Sequence, residues 1–137
     1  MPLPPSDPVQ QRLTDLRNGL LRLHKVLLDS ERALYEHEIA KITSAGQLLN
    51  LVINDPWFAW LHELSELIVL IDETQEADDP PVSLIDANKL IAQSKALLIP
   101  AEQGTRFAQK YYEAIQRDPD VVIAHCKMSR LLGQLAA

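Results

Sequence analysis

Eighteen residues, PWFAWLHELSELIVLIDE (56–73), constrain the fold more than any other stretch of this chain. Both tryptophans (Trp57, Trp60) and one of the two phenylalanines (Phe58) fall in its first five positions. Leu61, Leu64, Leu67, Ile68 and Ile71 follow at spacings of three and four, the rhythm of a helix with a wide apolar face. Such a helix must be covered by others. The stretch therefore predicts the centre of an all-α domain, and by itself it predicts no chemistry.

The flanking sequence supports the same class. The chain has nine prolines, and all fall between periodic segments or at their starts. Pro2, Pro4, Pro5 and Pro8 predict an extended, frayed leader over residues 1–8, ahead of one helical domain over 9–137. A first long helix is expected from Asp7–Pro8 to about Lys41, with Leu13, Leu16, Leu20, Leu23, Leu27, Leu34 and Ile39 as its apolar positions. The near-heptad spacing of the first six suits nearly antiparallel packing in a bundle. Gly19 lies inside this helix, where glycine costs up to about 1 kcal/mol against alanine. A close approach by another helix is one reason for it to be there.

Ser44 is the expected N-cap of a segment over 48–53. Asp55-Pro56 then pairs a good cap with a good first helical residue, so a kink or break is expected at Asn54–Asp55, with helix from Pro56 to about Gln75. EADDPPVS (76–83) reads as a loop, and Ser83 with Asp86 as a capping pair that opens a helix to about Leu98. Pro100 and Gly104 mark a turn before a helix carrying Phe107, Tyr111, Tyr112 and Ile115. Asp118-Pro119 ends that helix and starts the last one (119–133). No segment alternates with period two. The resulting expectation is an up-and-down bundle of four to five helices, with the second and last helical stretches started or interrupted by Asp-Pro. Asp55-Pro56 and His62 recur as Asp118-Pro119 and His125. That echo reads either as two similarly capped helices or as a duplicated hairpin.

Composition narrows the function classes. At 137 residues the chain buries enough surface for a core without disulfides or metal. Its net charge of −6 argues against a general nucleic-acid binder, which needs a basic surface. Cys126 is the single cysteine, so an intrachain disulfide is ruled out. MPLPPSDPVQQ lacks the features of a signal peptide, and no apolar run reaches the length of a membrane span. A cytoplasmic setting is expected.

Candidate chemistry starts with the four histidines, His24, His37, His62 and His125. If the first helix and the 46–75 stretch pair about residue 43, His24 lies level with His62. Glu31 is two turns from His24, and Glu66 one turn from His62. His125 joins them if the last helix folds back. His24, Glu31, His62 and His125 are thus a candidate set for zinc, iron or nickel. The competing reading is boundary histidines that bond carboxylates or water. HExxH, ExxH and HxxxH are all absent, which favours it.

Trp57, Phe58 and Trp60, with His62, Tyr111 and Tyr112, are candidates for a ligand pocket. Aromatics at this spacing are more often core. Glu63, Glu66, Asp72, Glu73, Glu76, Asp78 and Asp79 read as a solvated acidic face rather than a catalytic pair. Arg12, Arg17, Arg22, Lys25 and Arg32 are interleaved with Asp15, Asp29 and Glu36, a salt-bridged surface rather than a phosphate strip. Cys126 beside His125 does not make a nucleophile pair, because adjacent helical residues point about 100° apart. Glycine-rich phosphate loops are absent.

The pairing of DPWFAWLHELSELIVLIDE (55–73) with GTRFAQKYYEAIQRDPDVVIAH (104–125) resembles an uncharacterised family of small bacterial helical proteins, from about Leu13 onward. The resemblance implies a bacterial, cytoplasmic protein and carries no activity or binding residue. The leading functional expectation is a non-enzymatic interaction or scaffold bundle that binds a protein partner or itself. No cofactor, nucleic acid or membrane is expected. The alternatives are a metal- or small-ligand-binding bundle using His24 and His62, and an acid–base enzyme using His62, Glu63 or Glu66.

Overall fold

The computed structural model describes residues 7–77 and 79–136, and every regular element in them is helical. Of the expected leader, residues 1–6 lie outside the described ones, as does Asp78 of the acidic loop. Asp7 and Pro8 already belong to the first helix: Asp7 Oδ1 accepts the Val9 N–H at 2.9 Å and Pro8 is the first helical residue.

Six α-helices follow one another, rather than four to five: α1 (Pro8–Glu38), α2 (Ala45–Asn54), α3 (His62–Glu76), α4 (Leu84–Leu97), α5 (Arg106–Arg117) and α6 (Pro119–Leu135). A 3₁₀ segment, Pro56–Leu61, joins α2 to α3. The count rises because 44–75 is not one bent helix. Asp55 is extended (φ −86°, ψ 133°), which ends α2, and its carboxylate accepts the Trp57 N–H at 2.8 Å to start the tighter segment.

Local caps set most of the other boundaries. Ser44, Ser83 and Thr105 each accept the N–H three residues on, at 3.1 Å. Asp118 both closes α5, through its N–H to Ala114 O, and opens α6, through its carboxylate to the Asp120 N–H. Gly104 turns the chain ahead of α5 at φ 137°, where a side chain would be strained. The first helix stops three residues short of Lys41, because the chain leaves the axis at Ile39 and carries Ile42 into a buried position.

α1 is the central element. Leu13, Leu16, Leu20, Leu23 and Leu27 form its buried stripe, each worth about 1.5–3 kcal/mol. α3 lies antiparallel to it: Gln10 meets Gln75, Arg17 pairs with Asp72, and His24 meets Ser65. On another side α6 folds back antiparallel along α1. The Arg12 guanidinium bonds the Leu135 carbonyl near one end, and Gly19 faces Met128 and Leu131 further along. A Cβ on Gly19 would sit 2.5 Å from a Leu131 methyl, so α1 and α6 do approach closely there. Phe58, Trp60, Leu61, Leu64, Leu67, Ile68 and Ile71 pack with the α1 leucines, Phe107 and Tyr111 in one core cluster. No helix among the described residues is long and apolar enough to cross a membrane.

Candidate functional site

The four candidate metal ligands have separate partners. His24 Nε2 lies 2.8 Å from Ser65 Oγ, His62 Nε2 lies 2.8 Å from the Val52 carbonyl oxygen, and His125 Nδ1 lies 2.6 Å from the Tyr111 hydroxyl. Glu31 pairs with Arg117 at 3.1 Å. The antiparallel register anticipated for His24 is out by one turn: the residue level with it is Ser65, not His62. Among the described residues no three histidine, cysteine, aspartate or glutamate side chains come together as a metal site. Burial lowers the pKa of both His24 and His125.

The candidate pocket aromatics divide. Trp60 and Tyr111 are core residues, 2% and 0% exposed. Trp60, Phe107, Tyr111 and His125 form a run of rings with successive centroids 5.3, 5.6 and 5.3 Å apart. Burial raises the Tyr111 pKa, so near neutrality the neutral phenol donates to Nδ1 of a neutral His125. Tyr112 turns away and donates to Glu102 at 2.8 Å. His62 is half-buried, whereas Glu63, Glu66 and Cys126 are exposed.

Trp57 goes elsewhere. It lines a cleft of about 380 Å³ between α1, α5 and the Pro56 corner, and Glu31 lines the same cleft. Two residues assigned by sequence to different sites therefore share one. The Glu31 side chain is only 6% exposed. Desolvation raises its pKa, opposed by Arg117, then by Lys110 and the Trp57 indole. Arg117 uses the same Nη2 to reach Ser30 Oγ at 3.2 Å, which ties the end of α5 to the middle of α1. The Trp57 N–H is itself buried and meets no acceptor at hydrogen-bond geometry. Arg106 and Lys110 stand at the cleft with Glu38 and Glu113, and Lys110 lies 3.6 Å from Glu113.

Sequence reasoning missed Arg106, Lys110 and Arg117. One signal was available: Glu31 continues the stripe of Leu20, Leu23, Leu27 and Leu34 at helical spacing. A carboxylate in an apolar stripe needs a cation from another element.

Two further features are open to partners. A groove of about 690 Å³ runs between α1 and α6, floored by Gly19, Leu23, Val26, Ala124, Met128 and Leu131. In α2, AGQLLNLVIN, there is no charged residue and no buried one. Leu49 and Ile53, one turn apart, are 60% and 58% exposed. The 3₁₀ segment is the main support of α2 within the molecule. No family model matches the chain, and no curated protein or solved structure is similar to it.

Proposed function

We propose that this protein is a non-enzymatic, self-associating interaction module, an up-and-down helical bundle working in the bacterial cytoplasm. The observation that carries this reading is α2. A ten-residue helix is marginal in water unless tertiary packing holds its apolar face. Here Leu51 and Val52 pack against the core, while Leu49 and Ile53 stay bare. An exposed apolar pair of this kind, on a helix without charge, is a usual mark of a contact surface.

The occupant we assign is α2 of a second copy. Two chains of charge −6 repel, and an uncharged helix is where they can meet at least electrostatic cost. Apposing α2 on α2 about a two-fold axis covers Leu49 and Ile53 of both copies. The contact is small, so a micromolar, reversible dimer is expected rather than an obligate one. His62, Glu63 and Glu66 support an enzyme less well, because both carboxylates are exposed and the His62 Nε2 lies against the Val52 carbonyl.

Sedimentation equilibrium tests the assignment. The wild-type chain should dimerise in the micromolar range. Leu49→Glu with Ile53→Glu should be monomeric at unchanged helical circular dichroism. A wild-type chain that stays monomeric at high micromolar concentration overturns it, as does a double variant that still dimerises.

A further inference from the structure

Among the described residues, the one side-chain hydrogen bond that joins α5 to α6 runs between Tyr111 and His125, at 2.6 Å. α5 leans more on α6 than on any other helix. Tyr111 is fully buried, and its hydroxyl has no second partner among the described residues. A buried hydroxyl left unpaired is costly, so the phenol keeps its hydrogen aimed at His125 Nδ1. Nδ1 is therefore the ring nitrogen without a proton, and the neutral imidazole carries its hydrogen on Nε2. Nε2 has no partner among the described residues and reaches the surface.

This tautomer decides where an added proton goes. It must go to Nδ1, the nitrogen that already accepts from Tyr111. Two donors then face each other across the seam. The phenol has no other acceptor to turn to, and burial, which raises its pKa, keeps it from ionising instead. The imidazolium also lacks a counter-ion. His125 lines a recess of about 380 Å³ with Lys95 of α4, the apolar turn at Leu98–Pro100 and Ser129 of α6, and no carboxylate is among its walls. Across the seam and the recess the titratable groups are Tyr111 and Lys95, and Cys126 follows on α6 itself.

We propose that the Tyr111–His125 bond is a proton-sensitive latch between α5 and α6: protonation of His125 breaks it, turns the ring outward into the recess and loosens α5. The remaining side-chain tie on α5 is then Arg117, held at the C-terminal end by Ser30 and Glu31 of α1. Burial lowers the His125 pKa, so the latch is fully closed above the ordinary histidine value of about 6.5 and opens as pH falls through the folded value. His24 titrates separately, on the α1–α3 side. The inference is independent of whether α2 pairs with a second copy.

Long-range nitrogen–proton spectra of the ¹⁵N-labelled full chain test it, because each of the four histidines gives its own ring signals. His125→Gln identifies those of His125. At neutral pH the unprotonated nitrogen should be Nδ1, and the ring should titrate below about 6.5. Tyr111→Phe removes only the hydroxyl. It should raise the His125 pKa toward the ordinary value, because a hydrogen bond to the neutral ring is lost. A ring that is merely packed would titrate alike in both proteins. Amide exchange reads the movement. In the wild type, protection along α5 should fall about three- to tenfold as His125 takes up its proton. In Tyr111→Phe, α5 should already be less protected at neutral pH and should change little on acidification. The tautomer and the titration are read in the wild type, so they decide the matter even if the variant folds poorly. The proposal is overturned if Nδ1 carries the proton at neutral pH, if Tyr111→Phe leaves the His125 pKa unchanged, or if α5 is equally protected on both sides of the titration.

Discussion

His24 and Glu31 sit two turns apart on α1 and respond to pH in opposite directions. Burial lowers the His24 pKa, so the folded protein holds the neutral ring against Ser65. That contribution is complete above the ordinary histidine value of about 6.5 and is lost as pH falls through the folded value. Burial raises the Glu31 pKa. Its contribution is complete below the ordinary glutamate value of about 4.3 and is lost as pH rises through the folded value. Thermal melts across this range should separate the two. His24→Gln should remove part of the loss of stability on acidification below about 6.5. A pH profile unchanged by His24→Gln would show that the ring does not contribute.

At this scale the sequence was half legible. Glu31 and Trp57 stood out as residues, Glu31 for its spacing of two turns from His24 and Trp57 as an aromatic at the start of the central stretch, both local signals. Their shared cleft was not legible, because the Arg117 contact spans 86 positions of sequence. His24 shows how sensitive such pairing is. A shift of one turn along α3 replaces an imidazole neighbour by a serine hydroxyl.

Among the elements, α1 and α6 depend most on each other's shape. Gly19 lets them touch, and it lines the groove between them together with Asp118. Alanine there gains helix propensity but must displace the tip of Leu131, a flexible group, so the two effects nearly offset. A branched side chain cannot be absorbed in that way. Gly19→Val should cost about 1–3 kcal/mol of unfolding free energy in denaturant titrations. A cost near zero would mean that α1 and α6 are less tightly packed here. Helix starts were readable at Asp7, Ser44, Asp55, Ser83 and Asp118, since each cap bonds an N–H two or three residues away. Which helix lies against which was harder to read. The near-heptad stripe of α1 announces that it is covered, but several amphipathic helices are equally able to cover it.

For the whole molecule, charge and apolar contact work against each other. Each copy carries −6, so a dimer formed through the uncharged α2 is opposed by a field that salt screens. Raising sodium chloride from low to near-molar concentration should therefore tighten association a few-fold in sedimentation runs. Weakening would mean that ion pairs hold the copies together and that α2 is not the contact.

The return of α6 along α1 also has a bearing on how the chain acquires its structure. The Arg12–Leu135 contact joins residues 123 positions apart. Loop closure of that length is slow relative to local helix formation. During synthesis, α1 leaves the ribosome about a hundred residues before α6 can cover the groove side of its stripe. α3 arrives first and shields one flank. The other flank stays open until nearly all of the described chain has been made, and that interval is when a nascent copy is most exposed to mispairing.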